Sequence, residues 1–332
     1  PPLTGPPPAD RSSTERPPVR TTTARRLLAA TALLPVLALA ACGSDPKIAG
    51  AAGASGPAAT ATEDVVSGLG RSEAAAALLP EEVRKSGVLK FGSSVGAPPS
   101  AFYADQASKK AVGVDIDFTD AVAKLLGLTV QREDAAFETI LPALGSGKYD
   151  VGTGNFGVTT ARLKTVDFVT YIDDGQGFAV RKDNTAVQPV TDLAQLCGLT
   201  IGTGAGTTFE TTLNSKRAVC TDAGKKPYEV KAFSEGGALL TGLQQGRVDV
   251  EMSTINGLRH QASQEAAGVR FLNEFHRLDV GFAFKKGSPL TPAFQAAVNQ
   301  LIKDGTYERI LRKWGLTDSA IKESQISPPE HP

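Results

Sequence analysis

The chain is poor in the residues that most often carry metal or redox chemistry. Its 332 residues include three histidines, three cysteines, one methionine and one tryptophan. His260, His276 and His331 are scattered, and the two interior cysteines have no histidine or acid at ligand spacing. Neither set forms a metal or catalytic motif, and no cofactor is expected. The chain also lacks net charge, with 35 basic and 35 acidic residues. No basic stripe is present to follow a phosphate backbone, which excludes nucleic acid as a partner. No apolar run reaches the roughly 20 residues that span a bilayer. What remains is ordinary globular composition, 41% apolar and 21% charged, enough for a sizeable core and one to three domains.

The first 41 residues are not fold. Residues 1–26 are rich in Pro, Thr and Arg, and LLAATALLPVLALAA follows over 27–41. A positive flank, a short apolar core and small residues before a break are the layout of a secretory signal. The break, Leu39-Ala40-Ala41-Cys42, resembles a lipobox, in which the cysteine is lipidated and becomes the new N-terminus. Lipid chains at Cys42 would anchor the protein to the outer face of the cytoplasmic membrane. The other reading is a plain secretory signal with an incidental cysteine. Removing 1–41 takes away five arginines and two acids and leaves 30 basic and 33 acidic residues, a mildly acidic mature chain. Residues 43–72 are Ala-, Gly-, Ser-, Thr- and Pro-rich and read as part of a tether over 42–84, with about 30 Å of reach. Export also places Cys197 and Cys220 where a disulfide is stable. Closing the 22 residues between them is worth about 3 kcal/mol in loop entropy. Two separate buried thiols are the alternative.

From Gly87 onward, strand and helix patterns alternate. VLKFGSS, LTVQRE, YDVGTGN, GFAVRKD, LTIGTGAG, YEVKAF, VDVEMST and VGFAFKKG read as strands. Between them lie amphipathic runs such as VGVDIDFTDAVAKLLG, with Ile116, Phe118, Val122 and Leu125 on one face, and two helical patterns close the series. This rhythm predicts an α/β fold with mainly parallel sheets. ALGSGKYDVGTGN and GLQQGRVDVEMST repeat one plan of helix, glycine, basic residue and Asp-Val strand, which predicts two similar lobes. GTGAGTT lacks the third glycine of a dinucleotide loop, because Thr207 stands there.

Seven segments, GVLKFGSSVGAPPSAFY, GVDIDFTDAVAKLLGL, FETILPALGSGKYDV, GVTTARLKTVDF, DLAQLCGLTIGTGAGTT, GLQQGRVDV and DGTYERILRKWGL, together resemble the bacterial extracellular solute-binding proteins of family 3, the polar amino-acid receptors of ABC importers. The resemblance covers residues 85–325. It implies a periplasmic-binding-protein type II-like fold of two α/β lobes joined by two crossing strands. Lobe 1 would comprise 85–180 plus 285–325, and lobe 2 181–284. A small polar solute would bind between them, the lobes closing by hinge bending before delivery to a permease. The protein would act as a monomer.

The resemblance also assigns roles. Arg162 matches an arginine that grips the ligand carboxylate, for which its rigid fork of donors is suited. Thr207 and Thr208 open a helix whose N-terminus would take the same anion from the other lobe. Phe137 matches a side chain packed on the ligand. Asn155, Gly157 and Thr159 match a segment that binds the amino and carboxyl groups, with Gly157 replacing a frequent Ser or Thr. Relatives often carry Asp at the positions of Ser94 and Thr254 and an aromatic residue at Ala97. The missing Asp at Thr254 removes the usual partner of the ligand ammonium. Glu251, three residues earlier on the same strand, faces the other side of it and is an awkward substitute. Two other functions share the fold. A cyclohexadienyl-dehydratase-like enzyme would add a catalytic acid in the cleft, where this chain lacks acids at the matching positions. A sensor ectodomain would carry a membrane-spanning helix after the lobes, and the sequence through ESQISPPEHP contains no such run.

Overall fold

A computed structural model describes residues 63–331, Gln106 excepted. The signal segment, Cys42 and the tether as far as residue 62 lie outside the described residues. The strands are β1 (Val88–Ser93), β2 (Phe102–Tyr103), β3 (Ala111–Val112), β4 (Thr129–Asp134), β5 (Val151–Gly157), β6 (Val166–Arg181), β7 (Thr200–Gly204), β8 (Glu229–Phe233), β9 (Val250–Thr254) and β10 (Val269–Lys285). The helices are α1 (Glu73–Ala76), α2 (Glu81–Ser86), α3 (Val114–Leu126), α4 (Phe137–Ser146), α5 (Thr208–Ser215), α6 (Ala218–Asp222), α7 (Gly236–Gln244), α8 (Ile255–Ser263), α9 (Thr291–Asp304) and α10 (Thr306–Trp314).

Sequence cues explain these boundaries. Helix α3 is cut by Gly127 and α4 by Gly147, both in the left-handed region that a helix C-terminus favours. The predicted face of α3 is buried, with Ile116, Phe118, Val122 and Leu125 all inside. The expected helix over TTARLKTV is only a single 3-10 turn, Arg162–Lys164.

The main sheet runs β4-β1-β5-β10-β6-β9-β7-β8. Its two ends are parallel, and its centre is an antiparallel pair of long strands, β6 and β10, of 16 and 17 residues. These two strands join the lobes. At one end β10 pairs with β5 through Val280 to Ala283, and at the other β6 pairs with β9 through Gln176 to Ala179. Val280, Phe282 and Phe284 sit in one core with Phe118, Phe294 and Ile310. Phe178 and Val180 sit in another with Ile201, Leu213 and Met252. The lobes therefore change over near residues 175 and 277, five and seven residues earlier than the expected borders at 180 and 284. The tether is likewise shorter than expected, because Val65, Ala75 and Leu79 are buried in the first lobe's core.

The changeover is tightly built. Gly175 has φ +142°, and a Cβ there would meet the His276 carbonyl oxygen at 2.2 Å, so only glycine fits. Asp115 accepts from the Tyr171 hydroxyl at 2.7 Å and from the Asn155 N–H at 3.1 Å. Asp174 accepts from the Asn155 side-chain amide at 2.9 Å and from the Asn256 N–H at 3.1 Å. This chain of bonds links α3 to α8 across the crossing. Arg277 adds ion pairs to Glu274 at 2.8 Å and Asp173 at 3.4 Å.

Candidate functional site

A cavity of about 540 Å³ opens between the lobes, beyond the carboxyl ends of the parallel strands, where open α/β sheets bind ligands. Its size lies within the range of small-molecule sites. From the first lobe, the loop after β1 brings Ser94 and Ala97, α4 brings Phe137 and β5 brings Asn155, with Arg162 beside them. From the second lobe, Thr207 and Thr208 enter at the start of α5, and Thr254 at the junction of β9 and α8.

Arg162 is held from below. Its Nη1 donates to the Gly157 carbonyl at 3.0 Å, and its N–H donates to the Thr159 hydroxyl at 3.3 Å. The guanidinium lies 5.7 Å from the ring centre of Phe137 and 5.6 Å from that of Phe156, close enough for cation–π attraction. Burial pulls it down to about 10, with no charged neighbour contributing. Among the described residues, no carboxylate forms an ion pair with it. A desolvated, fixed cation without a counter-ion is arranged to receive an anion.

Across the cavity, the Thr207 hydroxyl caps α5 by accepting from the Glu210 N–H at 3.2 Å and donates to the Gly204 carbonyl at 2.7 Å. The Gly206 N–H donates to the Glu210 carboxylate at 2.7 Å. The helix thus already draws a carboxylate to its positive end, as its dipole and unpaired donors favour.

Not all expected residues reach the cavity. Thr159 does not line it; its hydroxyl supports Arg162 instead. Gly157 borders a small neighbouring recess together with Asn155, Thr208 and Thr254, and its carbonyl holds the guanidinium. Asn155 lines the cavity, but its amide hydrogens go to Ser100 at 3.1 Å and Asp174 at 2.9 Å. The Thr254 hydroxyl is also engaged, accepting from the Gly257 N–H at 3.0 Å as the cap of α8. Cys197 and Cys220 form a disulfide on the second lobe, away from the cavity lining. No group of His, Cys, Asp or Glu among the described residues could hold a metal.

Sequence reading missed the inner part of the cavity. It continues from Thr254 beneath α7 and α8, past Leu239, Leu240 and Gln244 to Glu251, His260 and Gln261. Glu251 is 1% exposed. Burial pushes its carboxyl up to about 7, against a hydrogen bond from Gln261, and burial pulls His260 down. Alternation along β9 holds, because Val250 and Met252 enter the opposite core. Glu251 therefore does face away from them, yet the cavity extends to that face. The available signal was an acid inside a strand that otherwise reads as buried, where charges rarely sit without a task.

Comparison with known proteins fits this architecture. The chain is 30% identical over 258 residues to the arginine-binding protein ArgT of Corynebacterium glutamicum, covering 76% of this chain and 82% of that protein. Its structure superposes with a TM-score of 0.62 on an ancestral arginine-binding protein bound to arginine, at 35% identity, covering 69% of this chain and 98% of that one. The ancestral amino acid-binding protein AncCDT-1, a precursor of cyclohexadienyl dehydratase, gives the same TM-score at 28% identity, covering 70% of this chain and 98% of that one. The named sequence relative is thus a binding protein, while one structural neighbour stands next to an enzyme. The fold is that of type II periplasmic binding proteins. Residues 89–317 match the model of one family, and the chain belongs to it: the bacterial extracellular solute-binding proteins, family 3.

Proposed function

We propose that this protein is the substrate-binding lipoprotein of an ABC importer, capturing a carboxylate-bearing amino acid or derivative. Cys42 would carry the lipid that holds it at the outer face of the cytoplasmic membrane, and the protein would work as a monomer. The solute's carboxylate is gripped by Arg162 from one lobe and by the start of α5, at Thr207 and Thr208, from the other. An anion bound by both lobes draws them together, which couples capture to closure. Phe137 supplies an apolar wall, while Ser94 and Thr254 border the site without charge. The observation that carries this reading is the buried, unpaired guanidinium of Arg162. Arginine is the first solute to try, because ArgT is named for binding it and an ancestral relative was solved with it bound.

A thermal-shift screen over amino acids, amines and organic acids tests the class. A ligand at 100 times its Kd stabilises the fold by about 2.7 kcal/mol. Arg162→Ala is expected to weaken the best carboxylate ligand by about 2–5 kcal/mol. Undiminished binding by that variant, measured by titration calorimetry, would show that the clamp is wrong.

A further inference from the structure

Three buried side-chain polar atoms among the described residues have no hydrogen-bond partner, and two of them, Oε2 of Glu251 and Oε1 of Gln261, belong to side chains that border the inner cavity. Both are acceptors. The Gln261 amide is turned by its neighbour, since its Nε2 donates to Oε1 of Glu251 at 3.3 Å and so its own oxygen points elsewhere. Buried acceptors left unpaired are costly, and a buried carboxylate without a counter-charge is more so. Packing around them is aliphatic: Leu240 and Ala267 line the hollow, beside a small core cluster of Leu243, Val248, Ala267 and Val269. A hollow with aliphatic walls, bordered by two side chains that each carry an unmet acceptor, fits a methylene chain that ends in several N–H donors.

We propose that the hollow beneath α7 and α8 is a side-arm subsite that takes a guanidinium or ammonium group, with Glu251 as its counter-ion and Gln261 as a second acceptor. Positive charge on the solute is then read deep in the second lobe and not at Thr254, whose hydroxyl is committed to capping α8. This inference rests on the carboxylate clamp for the solute's orientation, but the two can fail separately. The shift of the Glu251 carboxyl toward neutrality in the empty protein agrees with a site awaiting a cation. His260 is the other titratable group lining the hollow, and burial favours its neutral form.

The experiment is titration calorimetry on the full chain with three probes. L-Arginine has both ends, L-citrulline is its uncharged analogue, and agmatine has the guanidinium arm without the carboxylate. Glu251→Gln is expected to weaken L-arginine and agmatine at least about tenfold and to leave L-citrulline within about threefold. Gln261→Met removes the second acceptor without touching the charge and is expected to weaken L-arginine several-fold. Arg162→Ala is expected to weaken L-arginine and L-citrulline and to spare agmatine. If agmatine binds through Glu251 while Arg162→Ala changes nothing, the side-arm site stands and the clamp falls. If Arg162→Ala abolishes binding while Glu251→Gln leaves L-arginine unchanged, the clamp stands and the side-arm site is overturned. Failure of both L-arginine and agmatine to bind the wild-type chain also overturns it.

Discussion

The two faces of the second lobe's sheet are packed very differently. One face carries twelve buried residues, from Phe178 and Leu213 to Tyr228 and Met252, and is tied by the Cys197–Cys220 disulfide. The other carries a smaller cluster, Leu243, Val248, Ala267 and Val269, with Leu239 buried beside Val248, and the cavity runs into it. Both are covered by helices, so the contrast is not one of cover against exposure. It lies in what the helices do. Helices α5 and α6 complete a core; α7 and α8 roof a space whose lining includes a buried acid. A lobe whose stability comes mainly from one face can leave the other partly empty for a ligand. Unmet acceptors and missing apolar contacts are tolerated where binding later supplies partners.

The widest contrast comes from truncating a leucine on each face. Leu213 is fully buried on the packed face, so Leu213→Ala is expected to cost about 2–5 kcal/mol. Leu240 is only partly buried and already borders the cavity, so Leu240→Ala is expected to cost less than about 1 kcal/mol. Urea unfolding without ligand measures both, and equal costs would mean the two faces do not differ as described. The next effect is the disulfide. Its cysteines are 23 positions apart, and replacing both by serine is expected to cost about 3 kcal/mol. Affinity for a cleft ligand should stay within about twofold, because the bond belongs to the packed face. A large loss of affinity at unchanged stability would break that separation.

How much of this was legible in sequence follows the same division. Packed parts announce themselves. The apolar stripe of α3 and the glycines that end α3 and α4 gave elements and borders, because local physics fixes them. Arg162, Phe137, Thr207 and Thr208 were picked out, and all four line the cavity. The long strands were not. The sequence pattern marks a strand only from Gly177, in GFAVRKD, yet β6 runs from Val166 through Asp173, Asp174 and Gly175 paired with β10. Only the partner strand makes an extended path through those residues favourable, and no local pattern encodes a partner. Hence the expected lobe borders fall five and seven residues past the observed ones. Of the segment expected to touch the ligand, Asn155 lines the cavity with its amide hydrogens bonded to Ser100 and Asp174, and Thr159 lies outside the lining with its hydroxyl accepting from Arg162. Glu251 was set aside because period-two alternation turned it away from Thr254. The alternation was right, and the cavity beyond it depends on how loosely α7 and α8 sit, which is a tertiary property.

The finest test of the contrast is the pH dependence of stability in the empty protein. Glu251 is pushed up to about 7 by burial, above the ordinary glutamate value near 4.3. A raised acid binds its proton more readily folded than unfolded. Its contribution is therefore intact below about pH 4.3 and is lost as pH rises through 7. At pH 8 the folded chain holds an uncompensated carboxylate, and at pH 4.5 it holds a neutral one. Glu251→Gln, uncharged throughout, should thus gain on the wild type as pH rises, by about 3 kcal/mol between pH 4.5 and pH 8. Asp115 and Asp174 are also raised, to about 6, by burial, and they remain in both proteins, so their slopes cancel in the difference. Burial lowers His260, and it cancels likewise. A pH-independent difference between the two melting curves would mean that Glu251 is solvated or paired, and the hollow face would then be no more strained than the packed one. A gap that widens with pH and closes when agmatine is added would tie the missing packing to the missing ligand.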